Sequence, residues 1–170
     1  MKFTRIMAVF TAIGILEAGP VKHAVESEAL KARVFNISFA SSIISIDGIF
    51  DESAWSRAAS TDNFLEFQPG NNVEPPVPTE VKVTYDKDNL YVAFKAYSDP
   101  KDIRATLQKR DQAFRDDFVA ILIDTYGDAN SAVMIGSNPL GVQLDALNTG
   151  GNDDDPSYDV IYKSKGKITD

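Results

Sequence analysis

Six consecutive apolar residues, Phe118-Val119-Ala120-Ile121-Leu122-Ile123, stand between the acidic pair Asp116-Asp117 and the polar stretch Asp124-Thr125-Tyr126-Gly127-Asp128. Such a run is too short for a buried helix of ordinary length and suits a strand covered on both faces. The sequence therefore predicts a central strand here. Its ends are loaded with carboxylates, which points to the flanking loops as the place for function, because binding groups concentrate on loops held by a rigid scaffold.

The neighbouring segments repeat the β signal. Thr79-Glu80-Val81-Lys82-Val83-Thr84-Tyr85 alternates with period two, and Asn89 to Tyr97 follows after the turn Asp86-Lys87-Asp88-Asn89. This is the strongest hairpin in the sequence, with Val81, Val83 and Tyr85 on one face and Lys82 and Thr84 on a wet one. Ala132 to Ile135 and Val142 to Leu147 form a second predicted hairpin across the breaker-rich turn Gly136 to Gly141. Further strands are predicted at Ile43 to Ile46, Phe64 to Phe67, Ile103 to Leu107 and Tyr158 to Tyr162, and Lys163 to Asp170 begins another that has no visible partner. Gln68 to Pro78 carries four prolines and reads as a long surface loop. Asp51 or Ser53 can cap a single helical turn that drives Trp55, the one tryptophan, inward.

Short strands at this spacing, with no long amphipathic helix after residue 43, indicate an all-β antiparallel domain, a jelly-roll-like sandwich rather than a closed barrel, incomplete at its C-terminus. The domain is expected over residues 43–170. Ahead of it, residues 1–24 have the makeup of a secretory signal: Lys2 and Arg5, then the mostly apolar run Ile6 to Leu16, too short to span a bilayer. Residues 25–42, with a helix-compatible stretch from Glu26 to Val34, read as a linker.

Composition narrows the chemistry. The formal net charge is −8, and the acid excess lies wholly in residues 61–170. That balance disfavours nucleic acid and anionic lipid, and leaves divalent cations and neutral polar ligands open. The chain has no cysteine, so no disulfide, thiolate nucleophile or thiolate metal site is available. Its one histidine, His23, falls in the expected signal segment, which leaves no imidazole base and no Ser-His-Asp set in the mature domain. Carboxylates for an acid-acid glycosidase are plentiful, and their presence alone decides nothing.

Two binding chemistries remain. Calcium takes six to eight oxygen ligands from carboxylates and carbonyls on irregular loops, and Asp117, Asp124 and Asp128 are the candidate ligands, although their spacing matches no EF-hand. Sugar binding needs an aromatic face ringed by hydrogen-bonding groups. Phe114 and Tyr126 are the first candidates for that face, with Tyr97 and Tyr158 also beside loops, and Arg110, Asp116 and Gln143 supply the polar groups.

One family brings these features together. Ile46-Asp47-Gly48, Asp51-Glu52, Trp55 and Ala58, followed by Thr79 to Asp86 and Asn89 to Phe94, resemble the family 9 carbohydrate-binding module. Arg110-Asp111-Gln112, Asp116-Asp117-Phe118, Ile123-Asp124-Thr125 and Asn138 to Asp145 resemble a narrower branch, in which such a module precedes a large domain thought to form an outer-membrane barrel. The resemblance covers about residues 43–170. It implies a β-sandwich, export to the periplasm or outer membrane, and a non-catalytic sugar-binding role that in some relatives accompanies xylan- or cellulose-degrading enzymes. Calcium ions brace the fold in the best understood relatives, where two tryptophans clamp the sugar. Trp55 matches the structural tryptophan and leaves none for that clamp. The competing readings are an interaction domain of a periplasmic or outer-membrane protein with no sugar ligand, and part of a glycoside hydrolase.

Overall fold

A computed structural model describes residues 35–127, 129–149 and 154–169. The expected signal segment, most of the expected linker and Asp128 lie outside them. The described chain is nearly all β, and its one helical element is a single 3-10 turn at Pro100–Asp102. Two four-stranded, largely antiparallel sheets give an all-β sandwich rather than a closed barrel.

The first sheet is built on β3 (Thr79–Tyr85), which pairs along its whole length with β4 (Leu90–Ala96). The hairpin forms as its alternation predicts. Asp86 closes the turn, its Oδ1 accepting the backbone N–H groups of Asp88 at 2.8 Å and Asn89 at 2.7 Å. On the other side of β3 run β2 (Ala59–Thr61), antiparallel, and β1 (Ser38–Phe39), parallel. β1 changes the end of the hairpin: Thr84 is fully buried, donating to Ser38 O at 2.8 Å, and Tyr85 turns outward. The wet face expected for Thr84 is therefore closed.

Beneath this sheet lies a core of Ala40, Ile44, Ala54, Trp55 and Ala93, with Ala58 and Tyr91 against it. Trp55 arrives on a turn closed by Trp55 N to Glu52 O at 3.0 Å, and its indole N–H donates to Glu52 Oε2 at 3.0 Å. The other oxygen of Glu52 takes the backbone N–H of Ser45 at 2.7 Å. That bond diverts the backbone of Ile43 to Ile46 from any ladder, so the strand predicted there is irregular chain with Ile44 inward and Ile43 in solvent. Within residues 35–42 lies β1, Ala40 is buried, and Ala40 N bonds Tyr85 O at 2.7 Å. Phe64 to Phe67 contributes one isolated bridge, Glu66 to Val73, in place of a strand.

The second sheet runs in the order β5 (Val119–Ile123), β6 (Ala132–Ser137), β7 (Gln143–Asn148) and β8 (Asp154–Asp155). The apolar run is β5, yet it stands at one end of its sheet and not at the centre. Beside its start the segment from Ile103 to Asp117 folds back on itself, with Asp117 N on Arg104 O at 2.9 Å. That segment is irregular where a strand was predicted, as is Tyr158 to Tyr162. The six apolar residues thus mark a largely half-buried strand at the end of its sheet, with Ala120 alone among them buried, a position that periodicity cannot separate from a strand between two strands.

Candidate functional site

The loop from Lys109 to Phe118 docks on β7 and carries four of the residues that the sequence nominates, Arg110, Phe114, Asp116 and Asp117. Asp111, in the left-handed region at φ 61°, donates its N–H to Gln143 O at 3.0 Å and accepts from Asp145 N at 2.9 Å. This clamp aims Arg110 along the strand. Its Nε donates to Asp145 Oδ1 at 2.8 Å, its Nη2 to Asp145 Oδ2 and to Val160 O, and its Nη1 reaches Gln143 Oε1 at 3.4 Å. Asp145 is completely buried. Hydrogen bonding to Asp145, set against the cost of burial, raises the pKa of the Arg110 guanidinium above its ordinary value. Burial likewise pushes the Asp111 carboxyl up, and the nearby Asp145 charge adds to this. Arg110 and Gln143, both half-buried, are therefore held in place by Asp145, Val160 and Tyr162, the last through Gln143 Nε2 to Tyr162 O at 2.7 Å.

Asp116 forms a second buried knot. It accepts from Thr106 N at 2.8 Å, from the Thr106 hydroxyl and from Asn138 Nδ2 at 3.0 Å. Burial opposes its charge, but these donors outweigh burial and hold its pKa below the ordinary value. Asn138, itself buried, uses Oδ1 to close the β6–β7 turn on Leu140 N at 3.0 Å and Val142 N at 2.9 Å. Phe114 packs with Phe118, ring centroids 6.0 Å apart, against Ala113, Val142 and Leu144. It serves the core of the second sheet.

The acidic residues gather differently from the expected set. Asp117 accepts from Arg104 N at 2.8 Å, and Asp124 caps its own turn through Tyr126 N, Gly127 N and Ala129 N. Asp128 is outside the described residues. The three carboxylates brought together are those of Asp111, Asp145 and Asp159, with oxygens within 4.8 Å of one another, a grouping that can hold a metal ion. The Arg110 guanidinium stands among them, its Nε 3.6 Å from Asp111 Oδ2 and 3.2 Å from Asp159 Oδ1. It already supplies positive charge to these carboxylates. Sequence reasoning missed Asp111, Asp145 and Asp159 as a set. A legible signal was Asp145, a carboxylate flanked by Leu144 and Ala146 within β7.

Among the described residues, two of the surface hollows bear on binding. One, of about 150 Å³, is lined by Thr125, Tyr126, Ser131, Ala132, Val133, Leu147 and Tyr158. Tyr126 projects from the Asp124 turn and is 83% exposed, and Tyr158 meets the same hollow from the segment after β8. The other, of about 270 Å³, lies at the end of the first sheet between Ser60, Thr61, Asp62, Pro78, Thr79, Glu80 and Tyr97. There Glu80 accepts from the Ser60 hydroxyl at 2.7 Å, and Lys95 Nζ lies 4.9 Å from the centroid of the Tyr97 ring.

No protein-family model, curated protein or solved structure matches the chain. The resemblance to the family 9 modules is carried by the residues quoted for it alone. Among the described residues, no helix is long and apolar enough to cross a membrane.

Proposed function

We propose that this chain is a non-catalytic carbohydrate-binding module whose sugar platform is the hollow between Tyr126 and Tyr158. One observation carries the reading: two exposed tyrosines, 32 residues apart in the chain, border one shallow hollow with Thr125 and Ser131 beside them. A pyranose presents an apolar C–H face and a ring of hydroxyls, so it calls for aromatic walls with a few hydroxyl partners. The pair of tyrosines stands in for the two-tryptophan clamp of the resembling family. In this reading Phe114, Arg110, Asp116 and Gln143 brace the platform from within and do not touch the sugar. Export to the periplasm or outer membrane, and linkage to a barrel-forming domain, belong to the same proposal and rest on the leader and the resemblance. Calcium is not required, because Arg110 supplies the positive charge among Asp111, Asp145 and Asp159.

Titration calorimetry of the chain against xylo- and cello-oligosaccharides, with calcium and then with chelator, tests the proposal. Saturable heat is expected in both conditions. Tyr126→Ala should weaken it at least ~10-fold, the equivalent of about 1.4 kcal/mol, while leaving stability within ~0.5 kcal/mol, as befits an exposed side chain. A folded chain that gives no heat removes the sugar reading. It would favour an interaction domain, for which the exposed neighbours Phe39, Tyr85 and Leu90 across β1, β3 and β4 speak.

A further inference from the structure

The face of the first sheet that carries Glu80 ends in a hollow that shares no lining residue with the Tyr126–Tyr158 platform. Register gathers its chemistry on that one face. Ser60 stands opposite Lys82 and Glu80 opposite Lys95, and partners across a ladder, like residues two apart on a strand, lie on the same side of a sheet. One step beyond the strands, Tyr97 N bonds Pro78 O at 2.9 Å, which extends the pairing of β3 with β4 and sets Tyr97 beside Pro78. Asp62 follows Ser60 by two residues and lines the same hollow. Three paired strands thus hold the corner, which fixes its geometry more firmly than a free loop would.

The corner joins an apolar wall to open acceptors. Tyr97, 54% exposed, and the exposed Pro78 supply the wall. Ser60 Oγ donates to Glu80 Oε1 at 2.7 Å, and Lys82 Nζ approaches the same oxygen at 3.5 Å. Among the described residues no hydrogen bond is donated to Glu80 Oε2 or to the Asp62 carboxylate. Hydrogen bonding from Ser60, against the cost of burial and with help from Lys82, holds the Glu80 carboxyl below its ordinary value, so it is an ionised acceptor at neutral pH.

Charge narrows the ligand. Glu80 and Asp62 are matched by Lys82 and by Lys95, whose Nζ lies 4.9 Å from the centroid of the Tyr97 ring. Two carboxylates and two ammonium groups leave no net charge to draw in an anion or a cation. What fits is a neutral ring with an apolar face and O–H donors around its rim, because hydroxyls that donate to ionised carboxylates make charge-assisted bonds.

We propose that this hollow, of about 270 Å³, is a second carbohydrate subsite that takes one residue of a neutral glycan, its C–H face on Tyr97 and its hydroxyls donating to Glu80 and Asp62. The inference rests on the reading above for its ligand class and not for its location. With one tyrosine where the platform has two, it is the weaker subsite.

Amide NMR of the isotope-labelled intact chain, titrated with cellotetraose and with xylotetraose, reports the two hollows separately. Amides of Ser60, Asp62 and Glu80 should shift and saturate, at higher sugar concentration than those of Thr125, Tyr126 and Ser131. Tyr97→Ala should weaken the first set at least ~10-fold, as for the loss of an aromatic anchor, and leave the second set unchanged. Glu80→Gln, which keeps the shape of the corner, should weaken the first set as well. Oligomers of glucosamine and of galacturonate, one cationic and one anionic, should bind this hollow no more tightly than the neutral sugars. Shifts confined to the second set, shifts of the first set that persist in Tyr97→Ala, or tighter binding of either charged oligomer overturns the subsite and leaves the Tyr126–Tyr158 platform standing. Shifts confined to the first set support the subsite and remove the platform. A folded chain in which neither set moves overturns both.

Discussion

Around β3 the interior is a tryptophan set among alanines and Ile44, and Glu52 receives the indole N–H and a backbone N–H at the edge of the cluster. Around β7, Leu144 and Asp145 are both completely buried side by side on one strand, and beneath them Arg110, Asp116 and Asn138 hold the loops in place. The first arrangement stabilises by removing apolar area from water, which is non-directional and tolerates irregular backbone at Ile43 to Ile46. The second depends on donor and acceptor geometry, and each member left alone would carry a desolvation cost. The difference teaches why this chain closes one sheet with a side-chain plug and the other with a strap: apolar packing needs only shape, whereas the polar network dictates which backbone atoms of residues 160 and 162 lie where.

The comparison can be broken most forcefully at Trp55. Trp55→Ala should cost about 3–5 kcal/mol, measured by chemical denaturation and nearly independent of salt, as expected for lost apolar burial. Breaking the charge pair comes next. Arg110→Met leaves Asp145 buried without its guanidinium and should cost roughly 3 kcal/mol. The double variant Arg110→Met, Asp145→Leu should recover part of that loss. A double variant no better than the single one would mean that the hydrogen bonds to Val160, rather than the stranded charge, set the cost.

The smallest effect sharpens the role of Tyr162. Burial, with the Asp145 charge adding to it and against the Leu144 N–H, pushes the phenol up from 10.0 to about 12. The folded state therefore keeps the proton that the unfolded state loses, and stability present below pH 10.0 falls as pH rises toward about 12. Tyr162→Phe should cost about 1 kcal/mol at neutral pH and should flatten that alkaline decline. Unfolding free energies measured across this range check both, and an unchanged decline would assign it to other groups.

Much of the architecture was legible because strand pairing leaves a periodic trace. The alternation of Thr79 to Tyr85 and the turn residues Asp86 and Asn89 specify the β3–β4 hairpin locally, as Gly136 to Gly141 does for β6 and β7. Where the trace failed, side chains had claimed the backbone: Glu52 at Ser45, and Asp145 with Arg110 at Val160. The candidate site was legible only in part. Tyr126 and Tyr158 could be named as loop aromatics, but their meeting at one hollow is a matter of tertiary placement. Arg110, Gln143 and Asp116 are polar residues in loop or strand like any others until Asp145, Tyr162 and Thr106 are brought against them from up to 35 positions away.

The sequence by itself determined the all-β class, the two principal hairpins and the inward course of Trp55, since each depends on residues within a few positions of one another. Only the tertiary structure decided that β5 stands at the end of its sheet, that Ser38 and Phe39 join β3, and that an arginine lies where three aspartates converge. The physical reason is that a hydrogen bond or ion pair between distant residues leaves no period in the chain: its energy depends on distance and angle, which exist only once the chain has folded.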